Sequence, residues 1–224
     1  MLNKGLSNTD VKDKFNKIAL DYNFYPYTLA YKADIIRSIL EAHNKTSRNV
    51  NILDIGVAGA ELASLYLDKQ NLTGIDISIE MIRKAKMLLP QCNFFEQDGE
   101  DLEFQDESFD VVVSCDAFCY MEDPGRSISE SFRILKQGGL IIILSRNQFY
   151  QKFEFIRKLL NIGPTDDLFN RLFYKSELHK MLIDNDFNNV CSKSFCVIPV
   201  KGFSFMDNTI FNYFGHYSYA IGNK

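Results

Sequence analysis

The sequence predicts an α/β protein with a mostly parallel sheet, and three features predict it. Strand-like and helical runs alternate from residue 50 to about 145, with connections too long for hairpins, which implies right-handed crossovers between parallel strands. FDVVVSC (109–115) has the unbroken β-branched core of a strand buried on both faces. NILDIGVAGAELA (51–63) is an apolar strand that ends in an acid and turns through two glycines into a helix, and a second acid, Asp76, closes the strand-like run LTGID twenty positions after Gly56. In a doubly wound sheet that pairing sets a small-residue loop against one part of a nucleotide-like ligand and a carboxylate against its ribose hydroxyls.

The elements follow in order. VNILDI (50–55) is the first strand, followed by an amphipathic stretch through Glu61, Leu62, Leu65, Tyr66 and Lys69. After LTGID (72–76), Ser78 is placed to cap SIEMIRKAKMLL, a helix whose apolar face takes in Ile79, Ile82 and Met87 and which Pro90 stops. CNFFEQD (92–98) is the third strand and FDVVVSC the fourth; GRSISESFRILKQGG reads as a helix ending at its paired glycines, and LIIILS as the fifth strand. Beyond Asn147 the alternation breaks, and the aromatic run 149–173 reads as helical on both sides of Gly163 and Pro164. The helix KSELHKMLIDNDF, the strand-like NVCSKSFCVIPV and HYSYAIG complete the pattern. The organisation expected is a single domain with a helical cap (1–49), a core (50–147), a helical lid (148–175) and a C-terminal completion of the sheet (176–224). Cap and lid lie outside the parallel core and are expected to cover its carboxyl edge, where open α/β sheets bind ligands.

Composition narrows the function classes. A chain of 224 residues, 46% hydrophobic and 24% charged, is long enough for one well-buried core. A net charge of -4 without a basic block argues against a nucleic-acid surface. The first residues lack the apolar stretch of a signal peptide, no window resembles a membrane span, and five irregularly spaced cysteines fit reduced thiols, so a cytoplasmic location is expected. Cys115 and Cys119 with the scattered His43, His179 and His216 complete no metal pattern, and no metal is expected.

ILDIGVAGAEL, TGIDISIEMIRKA, QDGEDLEFQDESFDVVVS, EDPGRSISESFRILKQGGLIIIL and FYKSELHKMLIDNDF, in that order across about residues 11–190, resemble the class I S-adenosylmethionine-dependent methyltransferases, and FNKIALDYNFY resembles their small-molecule branch. The resemblance implies a Rossmann-like, seven-stranded, mostly parallel sheet with helices on both faces and the last strand antiparallel. It implies S-adenosylmethionine as cofactor, S-adenosylhomocysteine as product, and a small-molecule or carrier-bound acceptor; oligomeric state is left open.

The same resemblance assigns roles by position. Asp54 would face the ammonium of the cofactor's methionine part, and its alternative is to cap the following helix. Gly56 would let the backbone approach the ligand, with Ala58 beside it in the loop. Asp76 would bind the ribose hydroxyls with its two acceptor oxygens, and Ile77 would lie on the adenine face or in the core. Asp98 and Gly99 would meet the adenine edge, with Glu100 and Asp101 as solvated loop charges. Cys115 and Asp116 would line the sulfonium region, the thiol as passive filler. No catalytic triad is needed, because a sulfonium is already an activated leaving group and orientation alone supplies as much as ~7 to 11 kcal/mol. Candidates for a general base are His216, Tyr22 and Tyr27, each with a structural alternative.

The first motif departs from the family's D-x-G-x-G-x-G in having Ala58 and Ala60, with Gly59 out of phase. If either alanine takes a left-handed conformation, the cost is roughly 1 to 2 kcal/mol, unless Gly59 takes over the turn. Gln137 stands where the family often has proline, with an effect expected only at the helix exit. Two other readings compete: a non-catalytic binding protein of the same fold with a relaxed loop, and an NAD(P)-dependent oxidoreductase, whose fingerprint Gly56 and Asp76 echo without a full G-x-G-x-x-G.

Overall fold

The computed structural model describes residues 6–20, 26–66, 71–148, 171–195 and 217–224. Its elements are α1 (Asn8–Ile18), α2 (Pro26–Ala42), β1 (Ile52–Ile55), α3 (Ala63–Tyr66), β2 (Leu72–Asp76), α4 (Ile79–Leu88), β3 (Asn93–Glu96), β4 (Phe109–Cys115), a 3₁₀ turn (Phe118–Tyr120), α5 (Pro124–Ile134), β5 (Leu135–Arg146), α6 (Lys175–Asp184), β6 (Asn188–Phe195) and β7 (Tyr217–Asn223). Seven strands form one sheet in the order β3-β2-β1-β4-β5-β7-β6. β1 pairs in parallel with β2 and β4, β2 with β3, and β4 with β5, while β7 runs antiparallel to both of its neighbours. This is the Rossmann-like sheet with an antiparallel last strand that the resemblance implies.

Alternating side chains explain why the central strands need no polar face. Val111 and Val113 of β4, with Leu140, Ile142 and Leu144 of β5, pack with Ala33 and Ile36 of α2 and Ile82 and Ala85 of α4. Val112, Ile141 and Ile143 point the other way, toward Ile128 of α5 and Leu178 and Leu182 of α6. With period-two alternation and helices on both faces, an unbroken apolar run satisfies both sides.

Several local expectations change. Ser78 Oγ accepts the Met81 N–H at 3.2 Å, the cap its sequence suggests, but the buried face of α4 is Met81, Ile82 and Ala85, and Met87 is 74% exposed. Five residues from Ile82 is about 140° around a helix, so Met87 cannot share its stripe. The helix before the glycine pair ends at Ile134, not at the glycines; Leu135 already belongs to β5 and its N–H returns to Ser131 O. Phe109 pairs with Leu135 and Val111 with Leu140, so residues 136–139 bulge out between them, and exposed Gln137 has no part in the helix exit. Of the expected lid (148–175), only residues 148 and 171–175 are among the described residues; there, buried Phe173 bridges Asn147.

Candidate functional site

β1 and β2 lead one way across the sheet and β4 and β5 the other, so the carboxyl end of β1 and β4 is the topological switch point, where such sheets bind ligands. A cavity opens there, about 690 Å³ counting its open mouth. Its wall takes Gly56 and Ala58 after β1, Asp76 and Ile77 at the end of β2, Asp98 after β3, Cys115 and Asp116 at the end of β4, and Val11 and Phe15 from α1.

The loop after β1 is built around Asp76. Gly56 has φ +75°, and a Cβ there would lie 2.3 Å from Ala117 Cβ, so both conformation and space demand glycine. Ala58 and Ala60 take φ +48° and +66°, the left-handed region, while Gly59 does not; Gly59 therefore leaves the turn to the alanines. In this shape the Ala58 N–H donates to Asp76 Oδ2 at 3.0 Å, and the Ser78 N–H to Oδ1 at 2.9 Å. Each oxygen retains acceptor capacity toward the cavity. Burial pushes the Asp76 carboxyl up to about 6, against the opposing pull of those two N–H groups.

Asp54 stands back from the cavity wall. It is 3% exposed, and the Tyr66 hydroxyl of α3 donates to its Oδ2 at 2.7 Å. Burial pushes its carboxyl up to about 7, with Tyr66 drawing it down and the charge of Asp76 adding to the rise. Gly99 is likewise off the wall, packed so that a Cβ would lie 2.8 Å from Ile55 Cγ2. Asp98 Oδ1 accepts the Glu100 N–H at 2.9 Å and Oδ2 accepts from Asn8 Nδ2 at 2.7 Å, while the Asn8 N–H donates to Glu122 at 2.6 Å. Asn16 Oδ1 accepts from Ser78 Oγ at 2.7 Å, so α1 lies across the carboxyl edge. Tyr22 and His216 lie outside the described residues, as does the side chain of Tyr27.

Sequence reasoning misjudged Glu100 and missed Lys32. Glu100 is 6% exposed and accepts the Glu122 and Asp123 N–H groups at 2.8 and 2.9 Å, a loop clamp where a solvated charge was expected; Asp101 is solvated as expected. Lys32 is 3% exposed, forms an ion pair with Asp116, and sits 4.3 Å from the centre of the Tyr217 ring. Burial lowers its proton affinity, but the charge of Asp116 more than offsets this and holds the ammonium above its ordinary range. The signal was there: Lys32 falls on the stripe of Ile36, Ile39 and Leu40, where helical periodicity asks for an apolar residue. Burial pushes the Cys115 thiol up to about 12, partly countered by Lys32, which leaves a passive wall group.

Among the described residues, no cluster of His, Cys, Asp and Glu is arranged to hold a metal, and no helix is long and apolar enough to cross a membrane.

Residues 53–143 match the family described as "Methyltransferase domain". The chain is 36% identical to 2-methyl-6-phytyl-1,4-hydroquinone methyltransferase of Spinacia oleracea over 45% of its length and 30% of that protein's. It is 29% identical to phosphatidylethanolamine N-methyltransferase of Cereibacter sphaeroides (54% of this chain, 62% of that protein) and 28% identical to demethylmenaquinone methyltransferase of Chlorobaculum parvum (62% and 60%). It thus spans less than two thirds of the length of each. Among solved structures it resembles a SAM-dependent methyltransferase of Thermotoga maritima (TM-score 0.69, 20% identity, 95% of this chain and 99% of that one). It also resembles magnesium protoporphyrin IX methyltransferase of Synechocystis with bound S-adenosylhomocysteine (TM-score 0.68, 16% identity, 97% and 100%). Residues 53–143 are thus similar to a methyltransferase domain, and the chain has the fold of S-adenosylmethionine-dependent methyltransferases of known structure.

Proposed function

We propose that this chain transfers a methyl group from S-adenosylmethionine to a small, partly apolar acceptor, a hydroquinone-type ring. The observation that carries the cofactor half is Asp76: its two oxygens are oriented by backbone N–H groups at the edge of a cavity that also takes in Gly56, Ile77 and Asp98. These residues fit the cofactor. Asp76 would accept from the ribose hydroxyls, Asp98 from the adenine amino group, and the stretch of cavity that Gly56 lines would admit the methionine part. Ala58 and Cys115 would line its middle, and Asp54 would act on the ammonium end from behind the loop. The bound sulfonium supplies the activated methyl group.

The chain's own part is to orient and to exclude water. Phe15 packs edge-on to Tyr120 with ring centres 5.0 Å apart, and with Val11 and Met121 they make an apolar rim. Such a rim suits a flat ring more than a charged headgroup. The named substrates of the Spinacia and Chlorobaculum relatives, a hydroquinone and a demethylmenaquinone, support this choice over the phospholipid amine named for the Cereibacter relative. The reading of a non-catalytic binding protein fares worse, because Ala58 in its left-handed shape holds Asp76 in place.

Incubating the protein with methyl-labelled S-adenosylmethionine and short-chain benzo- and naphthohydroquinones, kept anaerobic, is expected to yield a labelled ring product. Failure to bind S-adenosylhomocysteine would overturn the cofactor reading; binding without transfer to any hydroquinone would overturn the acceptor.

A further inference from the structure

Asp116, immediately after β4, differs from the other acids of the pocket edge. Its φ is +60°, an uncommon conformation for a residue with a Cβ, and strain of this kind gathers at functional sites. The conformation aims its carboxylate toward α2, where the ammonium of Lys32 grips Oδ2. Lys32 comes from 84 positions earlier in the chain, is 3% exposed, and is flanked by the face of Tyr217 at 4.3 Å. A lysine is almost never buried this far unless an anion requires it.

The second oxygen is the informative one. Asp116 Oδ1 is buried and has no hydrogen-bond partner among the described residues, although Asp116 lies on the cavity wall beside Cys115 and Ala117. Asp76 and Asp98, by contrast, each have both oxygens engaged by N–H groups. A buried carboxylate oxygen without a donor is costly, and such groups in folded proteins call for an explanation. With Oδ2 taken by Lys32 and the backbone set by φ, Oδ1 has a defined direction and, among the described residues, no donor.

We infer that Asp116 docks the acceptor, its free oxygen receiving an O–H or N–H group of the molecule to be methylated, with Lys32 as the positioning residue that fixes the carboxylate. This rests on the methyltransferase reading above and adds to it the kind of group the acceptor presents. A ring hydroxyl meets the requirement, and its bond to Oδ1 would set the ring's orientation at the β4 end of the cavity. A ligand lacking a donor would bury the carboxylate oxygen unsatisfied and be disfavoured, which makes Asp116 a specificity device as well.

The test uses the full chain saturated with S-adenosylhomocysteine and two probes of nearly equal shape, 1-naphthol and 1-methylnaphthalene, titrated by calorimetry. A pocket without a free acceptor would favour the more apolar methyl compound. The inference expects the reverse, at least about tenfold tighter binding of the naphthol, as a hydrogen bond to a charged group provides. Asp116→Ala should bring the two affinities to within about twofold. Equal affinities in the unmodified protein, absence of binding by both probes, or an unchanged ratio in a cooperatively melting Asp116→Ala protein would overturn it. Should that variant fail to fold, the ratio in the unmodified protein still decides. Methyl transfer to a hydroquinone without O–H preference would sink this inference and leave the proposed function standing. O–H preference without transfer to any hydroquinone would do the opposite.

Discussion

The backbone N–H of Ala58 donates to Asp76 Oδ2 at 3.0 Å while Ala58 itself holds φ +48°. The loop after β1 and the acid that ends β2 are therefore one unit: the strained alanine presents the N–H that orients the carboxylate. The loop reaches this geometry at a conformational cost, because alanine stands at its left-handed positions.

Asp76→Ala removes both the oriented acceptors and the anchor of the loop. A hydrogen-bonded charged group is worth about 1.5 to 3 kcal/mol, so affinity for S-adenosylhomocysteine should fall roughly 10- to 150-fold. Asp76→Asn should lose less, since one oxygen survives. Calorimetric titration of the three proteins checks the order.

Relief of the left-handed alanines should separate two sites that look alike in sequence. Replacing Ala58, which is partly exposed, by glycine relieves about 1 to 2 kcal/mol of backbone strain against about 0.5 to 1 kcal/mol of added chain entropy, so a modest rise in melting temperature is expected. Ala60 is fully buried, and Ala60→Gly also loses a methyl worth about 0.8 kcal/mol, so its net effect should be close to zero or destabilising. Cofactor affinity should change less than threefold in Ala58→Gly; a gain of two orders of magnitude would favour a relaxed, non-catalytic loop.

Cofactor binding should depend on pH through Asp54 and Asp76, whose carboxyls burial raises from 3.8 to about 7 and about 6. The folded apo protein holds protons there that the unfolded chain releases, so these groups favour folding at low pH and that contribution is lost as pH climbs from about 4 through 7. A cofactor bearing sulfonium and ammonium charges prefers both acids ionised. Its affinity should rise between pH 5 and 8, by up to about tenfold per unit for each group below its midpoint. Tyr66→Phe removes the hydrogen bond that favours ionised Asp54, so the upper midpoint should move above 7; dissociation constants measured across this range report the shift.

The Lys32 and Asp116 pair offers a stability test. Lys32→Met leaves a buried carboxylate unpaired and should cost about 3 to 5 kcal/mol, whereas Lys32→Met with Asp116→Leu removes both charges and should recover most of that loss. Chemical denaturation of the single and double variants gives the coupling directly. The double variant should fold and yet lose preference for an O–H-bearing probe.

Much of the fold was legible because its signals are local. Unbroken apolar or strand-like runs marked β1, β2, β4 and β5; Ser78 before SIEMIRKA marked the start of α4; and the order of residues Gly56, Asp76, Asp98 and Cys115 at or just past the strand ends anticipated the cavity wall on which all four lie. Errors arose where a local signal has two outcomes. A glycine pair ends a helix or permits a bulge, and the pairing of Phe109 with Leu135 chose the bulge; an acid in a loop is solvated or clamps a backbone, and Glu100 clamps.

By itself the sequence determined the element order of the parallel core and the cofactor-type edge, since each depends on spacing along the chain. Only the tertiary structure decided that Tyr66 holds Asp54 back from the wall, that Asn8 reaches Asp98 across 90 positions, that Ala58 and Ala60 are left-handed, and that Lys32 locks Asp116. These are contacts and backbone states set by how distant elements pack. A buried charge acquires its partner, and an alanine its unfavourable φ, only when the surrounding fold outweighs the local preference of each residue.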